Sequence, residues 1–214
     1  TPMWHILMPL FLCILLVRNN IHAQNLRTHT GSARAITQDS NGFIWLASSN
    51  GLSRYDGERS ISFNNHNVDW PLPFNWVNDI HLINGTKLLL ATETHKLWLF
   101  DTTNAVASKL DIAIHGTSVY SATEHNSNYY LYAPNKLYQV NSTTLETTLL
   151  SENIDIKSLK RTKDSVYVLT PKAVFKITND GLQHVISGAI SAIDTTEDSL
   201  IVAKNNKIIV IDDV

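Results

Sequence analysis

From Asn25 onward the apolar residues fall in short runs, often alternating with polar ones and separated by Asn, Asp, Gly, Ser and Thr. No stretch there holds a helical period for long. Short β-rich runs with a turn signal roughly every ten residues predict an all-β sandwich, barrel or propeller. The clearest unit covers 33–63 and reads as four strands. The first is 33–38, closed by the tight turn Asp39-Ser40-Asn41-Gly42, where glycine tolerates positive φ. The second, 43–47, ends at Ser49-Asn50-Gly51. The third, 52–55, ends at the hairpin dipeptide Asp56-Gly57, and the fourth is 59–63.

Weaker copies of this unit follow at 80–101, 119–141, 156–178 and 192–212. Each carries an apolar strand, a small residue, a polar turn and a second apolar strand. The small residue moves from Ala47 to Ala91, Ala133, Thr170 and Ala203, in steps of 44, 42, 37 and 33 residues. Such a period brackets one four-stranded propeller blade. A lone four-stranded sheet has two apolar faces and cannot bury both, whereas blades stacked around an axis cover each other. The pattern therefore predicts a β-propeller of four-stranded antiparallel blades over 24–214, with about five blades visible. Trp45, Trp98, Tyr130 and Phe175 are expected to fill the gaps between blades. Residues 25–32 are a candidate strand for closing a ring.

The head of the chain breaks this pattern. The run 6–17, ILMPLFLCILLV, is apolar and, at roughly a dozen residues, too short to span a bilayer. It suits the core of a secretory signal, and Ile21-His22-Ala23 offers a small residue for cleavage. A signal peptide over 1–23 is expected, and with it export. The one cysteine, Cys13, lies within that run, so the body can form no disulfide, cysteine-containing zinc site or thiol nucleophile. A formal net charge of −2 and the lack of any Lys/Arg run argue against a nucleic-acid partner.

Catalytic patterns are missing from the sequence. The nine histidines are scattered, with no HExxH, glycine-rich phosphate loop or nucleophile elbow. Asp39-Ser40-Asn41-Gly42 opens like a calcium loop but lacks the downstream Glu, and reads as a turn. The innermost strands read as mostly Ala, Ile, Val, Ser and Thr, which speaks against an enzyme; no catalytic residue, metal or cofactor is expected. The most unusual connection is 64–75, NNHNVDWPLPFN. Trp70, Phe74 and the following Trp76 are candidates for a ligand-facing aromatic platform on a propeller face. Packing of Trp70 and Phe74 under the adjacent blade is the alternative.

Residues 39–48, DSNGFIWLAS, followed by 50–57, NGLSRYDG, resemble the two-component regulator propeller repeat. That pattern is an acidic turn with Gly, an apolar-Trp-apolar strand, a small pair, Gly-Leu, then aromatic-Asp-Gly. Asn75-Trp76-Val77-Asn78-Asp79-Ile80 resembles the start of another unit. Later copies depart: the Gly-Leu pair becomes Lys96-Leu97, Lys136-Leu137 and Ala173-Val174, and the Trp of the second strand is lost. The resemblance implies an exported sensor held at the periplasmic side of the bacterial inner membrane. Such receptors carry two seven-bladed propellers, a small β-sandwich, a transmembrane helix and a histidine kinase, diguanylate cyclase or transcription-factor output. It further implies a homodimeric receptor with a small-molecule or glycan ligand. These five units would then be part of a seven-bladed ring, joined to further blades and output domains of the same polypeptide. An exported propeller enzyme or a protein-interaction scaffold is the alternative.

Overall fold

The structure, a computed structural model, describes residues 32–213. The leader expected over 1–23, and all but the last residue of the 25–32 segment, lie outside the described residues. The described residues form nineteen strands and no α-helix. Four antiparallel sheets have four strands each, in simple up-and-down order. Blade 1 comprises β1 (Ala33–Gln38), β2 (Ile44–Ser48), β3 (Gly51–Tyr55) and β4 (Ser60–Phe63). Blade 2 comprises β5 (Val77–Ile83), β6 (Lys87–Thr92), β7 (Leu97–Asp101) and β8 (Val106–Leu110). Blade 3 is β9 (Ser121–His125), β10 (Asn128–Ala133), β11 (Lys136–Asn141) and β12 (Thr147–Glu152). Blade 4 is β13 (Ser158–Arg161), β14 (Val166–Leu169), β15 (Ala173–Thr178) and β16 (Gly181–Ser187). Blade 5 shows three strands, β17 (Ile190–Thr195), β18 (Ser199–Lys204) and β19 (Lys207–Asp212).

The first strand of each blade packs against the first strand of the next, in the order β1, β5, β9, β13, β17. Asp79 meets Ser121 and His81 meets Thr123, so β5 and β9 run in the same direction. Lys160 lies beside Asp194, and the Lys163 amide donates to the Glu197 carbonyl, which gives the same sense between blades 4 and 5. Sheets radiate from a common axis lined by these inner strands. The fold is a β-propeller.

Apolar seams between blades form the core. Trp45, Ala47, Leu52 and Phe63 of blade 1 pack with Val77, Leu88, Leu90 and Phe100 of blade 2. Leu89, Ala91 and Leu97 continue into Ala122, Tyr129 and Leu131 of blade 3. Leu137 packs with Leu159 and Val168 of blade 4, and Tyr167, Leu169 and Val174 with Ile193, Leu200 and Val202 of blade 5. The small residues that marked the repeat explain themselves here: Ala47, Ala91 and Ala133 are fully buried at the ends of second strands, where a larger side chain would push the sheets apart.

The blade 1 motif also acquires physical reasons. The Asp39 carboxylate accepts hydrogen bonds from the amides of Asn41 and Phe43 and, at 2.8 Å, from the buried Trp45 indole. One acid thus closes the turn and satisfies the indole N–H at the seam. Gly51 has φ +95°, and an added Cβ would lie 2.1 Å from the Phe63 carbonyl oxygen. No side chain fits there. In blade 2 Lys96 takes the place of Gly51 with φ 61°, and in blade 3 the positive φ falls on Asn135 (φ 58°), one residue before Lys136, so later copies turn without glycine.

Candidate functional site

The expected aromatic loop divides by burial. Phe74 is 2% exposed and packs in the seam of blades 1 and 2, its ring 5.1 Å from that of Trp98. Leu72 joins it there. Trp70 is 41% exposed and leans on Phe63, with centroids 5.7 Å apart. Trp76 is 42% exposed and carries the Arg34 guanidinium over its ring at 4.8 Å. The three rings therefore form no single platform: Phe74 is core, Trp70 covers Phe63, and Trp76 stands beside the axial mouth with Arg34.

The loop is held in shape by its asparagines. The Asn64 side chain accepts from the amides of His66 and Asn67, and that of Asn67 from Asp69 and Trp70. Such side-chain-to-backbone bonds are the usual means of ordering a loop that has no ladder partners.

A concave site lies on the axis. Its cavity of about 530 Å³ is lined by all five inner strands and their approaches. Contrary to the expectation that inner strands offer mostly small and aliphatic residues, its walls carry Arg34, Asn78, Asp79, His81, Lys160, Arg161 and Asp194. The repeat was traced through the apolar half of each alternating strand. The polar half of the same strands turns to the axis, where no neighbouring sheet must be matched.

Because the inner strands run in parallel, the cavity has two ends. Arg34, Asn78, Tyr120 and Lys157 sit where the strands begin, at the mouth; His81, Thr123, Arg161 and Thr195 lie deeper. Near the mouth, Asn78 links three blades: it accepts from Arg34 at 3.2 Å, and donates to the Val119 carbonyl and to Glu93, each at 2.9 Å. The Tyr120 and Tyr132 rings lie 5.6 Å apart, and the Tyr132 hydroxyl donates to the Lys157 carbonyl. Burial, followed by the nearby Asp79 charge, pushes the Tyr132 hydroxyl up to about 12, so it stays protonated as a donor.

Deeper in, the Asp79 carboxylate accepts from the Ser121 hydroxyl and the Ile80 amide. Burial pushes its acid range upward, against those hydrogen bonds. The Arg161 Nε–H donates to His81 Nε2 at 3.2 Å, a bond that reaches across the axis from blade 4 to blade 2. Burial first, then the charges of Arg161 and Lys160, holds His81 down at about 4. His81 is therefore neutral at physiological pH, with Nε2 as acceptor. Among the described residues no group of His, Cys, Asp and Glu has a metal-binding arrangement. No described helix is long and apolar enough to cross a membrane.

Solved structures share this architecture. The chain is similar to the extracellular domain of the hybrid two-component system BT4673 of B. thetaiotaomicron, at 19% identity and TM-score 0.64, over 83% of this chain and 26% of that one. A second extracellular domain of that organism, from the hybrid two-component system BT3049, is 15% identical with TM-score 0.50, over 86% of this chain and 34% of that one. The propeller domain of Myceliophteria thermophila Cps50 (Swd1) is 14% identical with TM-score 0.57, covering 83% and 64%. At these identities the likeness is one of fold. The chain spans about a quarter of the length of the first neighbour. No family model and no curated relative matches the sequence.

Proposed function

We propose that this chain is the periplasmic, ligand-sensing propeller region of a membrane-anchored signal-transduction receptor. The observation that carries the reading is the agreement of two independent signals. The blade 1 motif resembles the two-component regulator propeller repeat, and the fold is similar to extracellular domains of hybrid two-component systems. The leader-like run 6–17 supports export, and the cysteine-free body suits an oxidising compartment.

The trailing face of blade 5 adds a physical argument. β19 is the outer strand of its sheet, and Ile208 and Val210 on it are 74% and 59% exposed. Large β-branched residues side by side on an open sheet face are what a following blade would cover. Further blades of the same polypeptide, then a transmembrane helix and a histidine kinase or diguanylate cyclase output, complete the proposed receptor, which works as a homodimer.

Sequencing the coding DNA beyond Val214 tests this directly. More blades followed by a membrane span and an output domain are expected; a stop codon shortly after Val214 overturns the receptor and favours a scaffold or an exported enzyme.

A further inference from the structure

We propose that the axial cavity binds a small carboxylate-bearing molecule, its carboxylate gripped by Arg161 and Lys160 and its carbon skeleton laid against Tyr120. The inference rests on the sensory reading for its meaning in the cell, though not for its chemistry.

Arg161 is the central observation. Among the described residues its side chain makes one hydrogen bond, from Nε to His81, and no carboxylate lies within ion-pair distance of its guanidinium. Arg161 lines the cavity, and with Nε engaged its guanidinium still has two terminal nitrogens, a planar pair of donors that matches a carboxylate bidentately. Lys160 stands next to it, 3.3 Å from Asp194. Arg34, Lys157, Lys160 and Arg161 set against Asp79 and Asp194 leave the lining with an excess of positive charge, which favours an anion. Burial first, and then the charges of Arg161 and Lys160, keep the neighbouring imidazole of His81 neutral at physiological pH, so its Nε2 stays an acceptor for Arg161.

The remaining walls supply shape and polarity. Ser121 and Thr123 offer hydroxyls, and Tyr120 presents a partly exposed ring on the cavity wall. A volume of about 530 Å³ lies in the usual range for small-molecule sites. An aromatic wall at the mouth with a guanidinium fork deeper in suits a carboxylate carried on a compact ring or short chain.

Calorimetric titration of the full chain at low ionic strength with D-glucuronate, succinate, D-glucose and inorganic phosphate tests the proposal. Saturable one-site binding of glucuronate is expected, with glucose at least tenfold weaker, and the imidazole NMR signals of His81 should shift with the same midpoint. Succinate binding as well as glucuronate also supports it, and marks the charge rather than the ring as the recognised feature. Arg161→Gln should weaken glucuronate at least tenfold with an unchanged far-UV circular dichroism spectrum. Arg161→Lys, which keeps the charge and loses the fork, serves if that variant misfolds, and should weaken binding several-fold. Silence of glucuronate, equal binding of glucose, tighter binding of phosphate, or undiminished binding by either variant overturns the site. Loss of this site with output domains found downstream would leave the receptor standing; binding in a chain that stops at Val214 would do the reverse.

Discussion

The seam between blades 1 and 2 and the seam between blades 4 and 5 solve the same packing problem with different chemistry. In the first, Trp45, Phe63 and Phe100 interlock with centroids 5.3–5.5 Å apart, wrapped in Leu52, Leu88 and Leu90. In the second, the buried side chains are mainly aliphatic, with Tyr167 the aromatic member. A polar clasp supplements them. The Asp213 carboxylate, just after β19, accepts from Ser165, Tyr167 and Lys176 of blade 4 at 2.8–2.9 Å, and from Thr162. Burial by itself would raise this acid, but the bonds from Lys176, Thr162, Tyr167 and Ser165 outweigh it and hold the carboxyl at about 2. Large rings gain stability from the area they remove from water, whereas a buried ion pair depends on every donor being in place. The first seam should be robust to pH, and the second tunable by it.

The sharpest way to break the comparison is Trp45→Ala. Removing a fully buried indole that also satisfies Asp39 should cost about 3–5 kcal/mol, read as a shift in the denaturant midpoint. Next, Asp213→Ala leaves the Lys176 ammonium without its carboxylate, and should cost about 3 kcal/mol. Hydrogen exchange should show that loss in blade 5, with blade 1 amides still protected.

Titration gives a smaller, directional effect. The folded-state carboxyl of Asp213 lies below its ordinary value of 3.8, at about 2. Its contribution is therefore complete above pH ~4 and disappears as pH falls toward 2, a loss on the order of 2 kcal/mol. Acid unfolding followed by exchange should open the 4–5 seam over that window, and Asp213→Asn should abolish the effect.

The smallest change is expected where neither seam is involved. Ile208→Glu with Val210→Glu, on the open face of β19, should alter stability of the isolated chain by no more than about 0.5 kcal/mol. Self-association seen by sedimentation should fall. A large loss of stability would mean that this face is already covered.

Much of the fold was legible in the chain itself. The blade 1 strands fall within a residue or so of their expected bounds, because Asp39-Gly42 and Asn50-Gly51 are local instructions that need no distant partner. The beginnings of later blades were harder to place: β5 starts at Val77, three residues before the unit read at 80–101. The aromatic loop was recognisable as unusual, yet a sequence cannot tell an indole that covers a core from one that greets a ligand. Phe74 and Trp70 became separable once Trp98 and Phe63 were placed beside them. The axial cavity had no local signal at all. His81 and Arg161 are eighty residues apart and belong to blades that are not neighbours.

The sequence alone determined what short-range chemistry can write: alternating strands, glycine-bearing turns and a repeat of small residues at the strand ends. The tertiary structure alone decided which polar residues would share the axis, since that depends on arranging the sheets about one line. It also decided that Asp213 would be buried among blade 4 donors. Both arise from contacts between distant residues, whose free energy exists only after the intervening chain has folded.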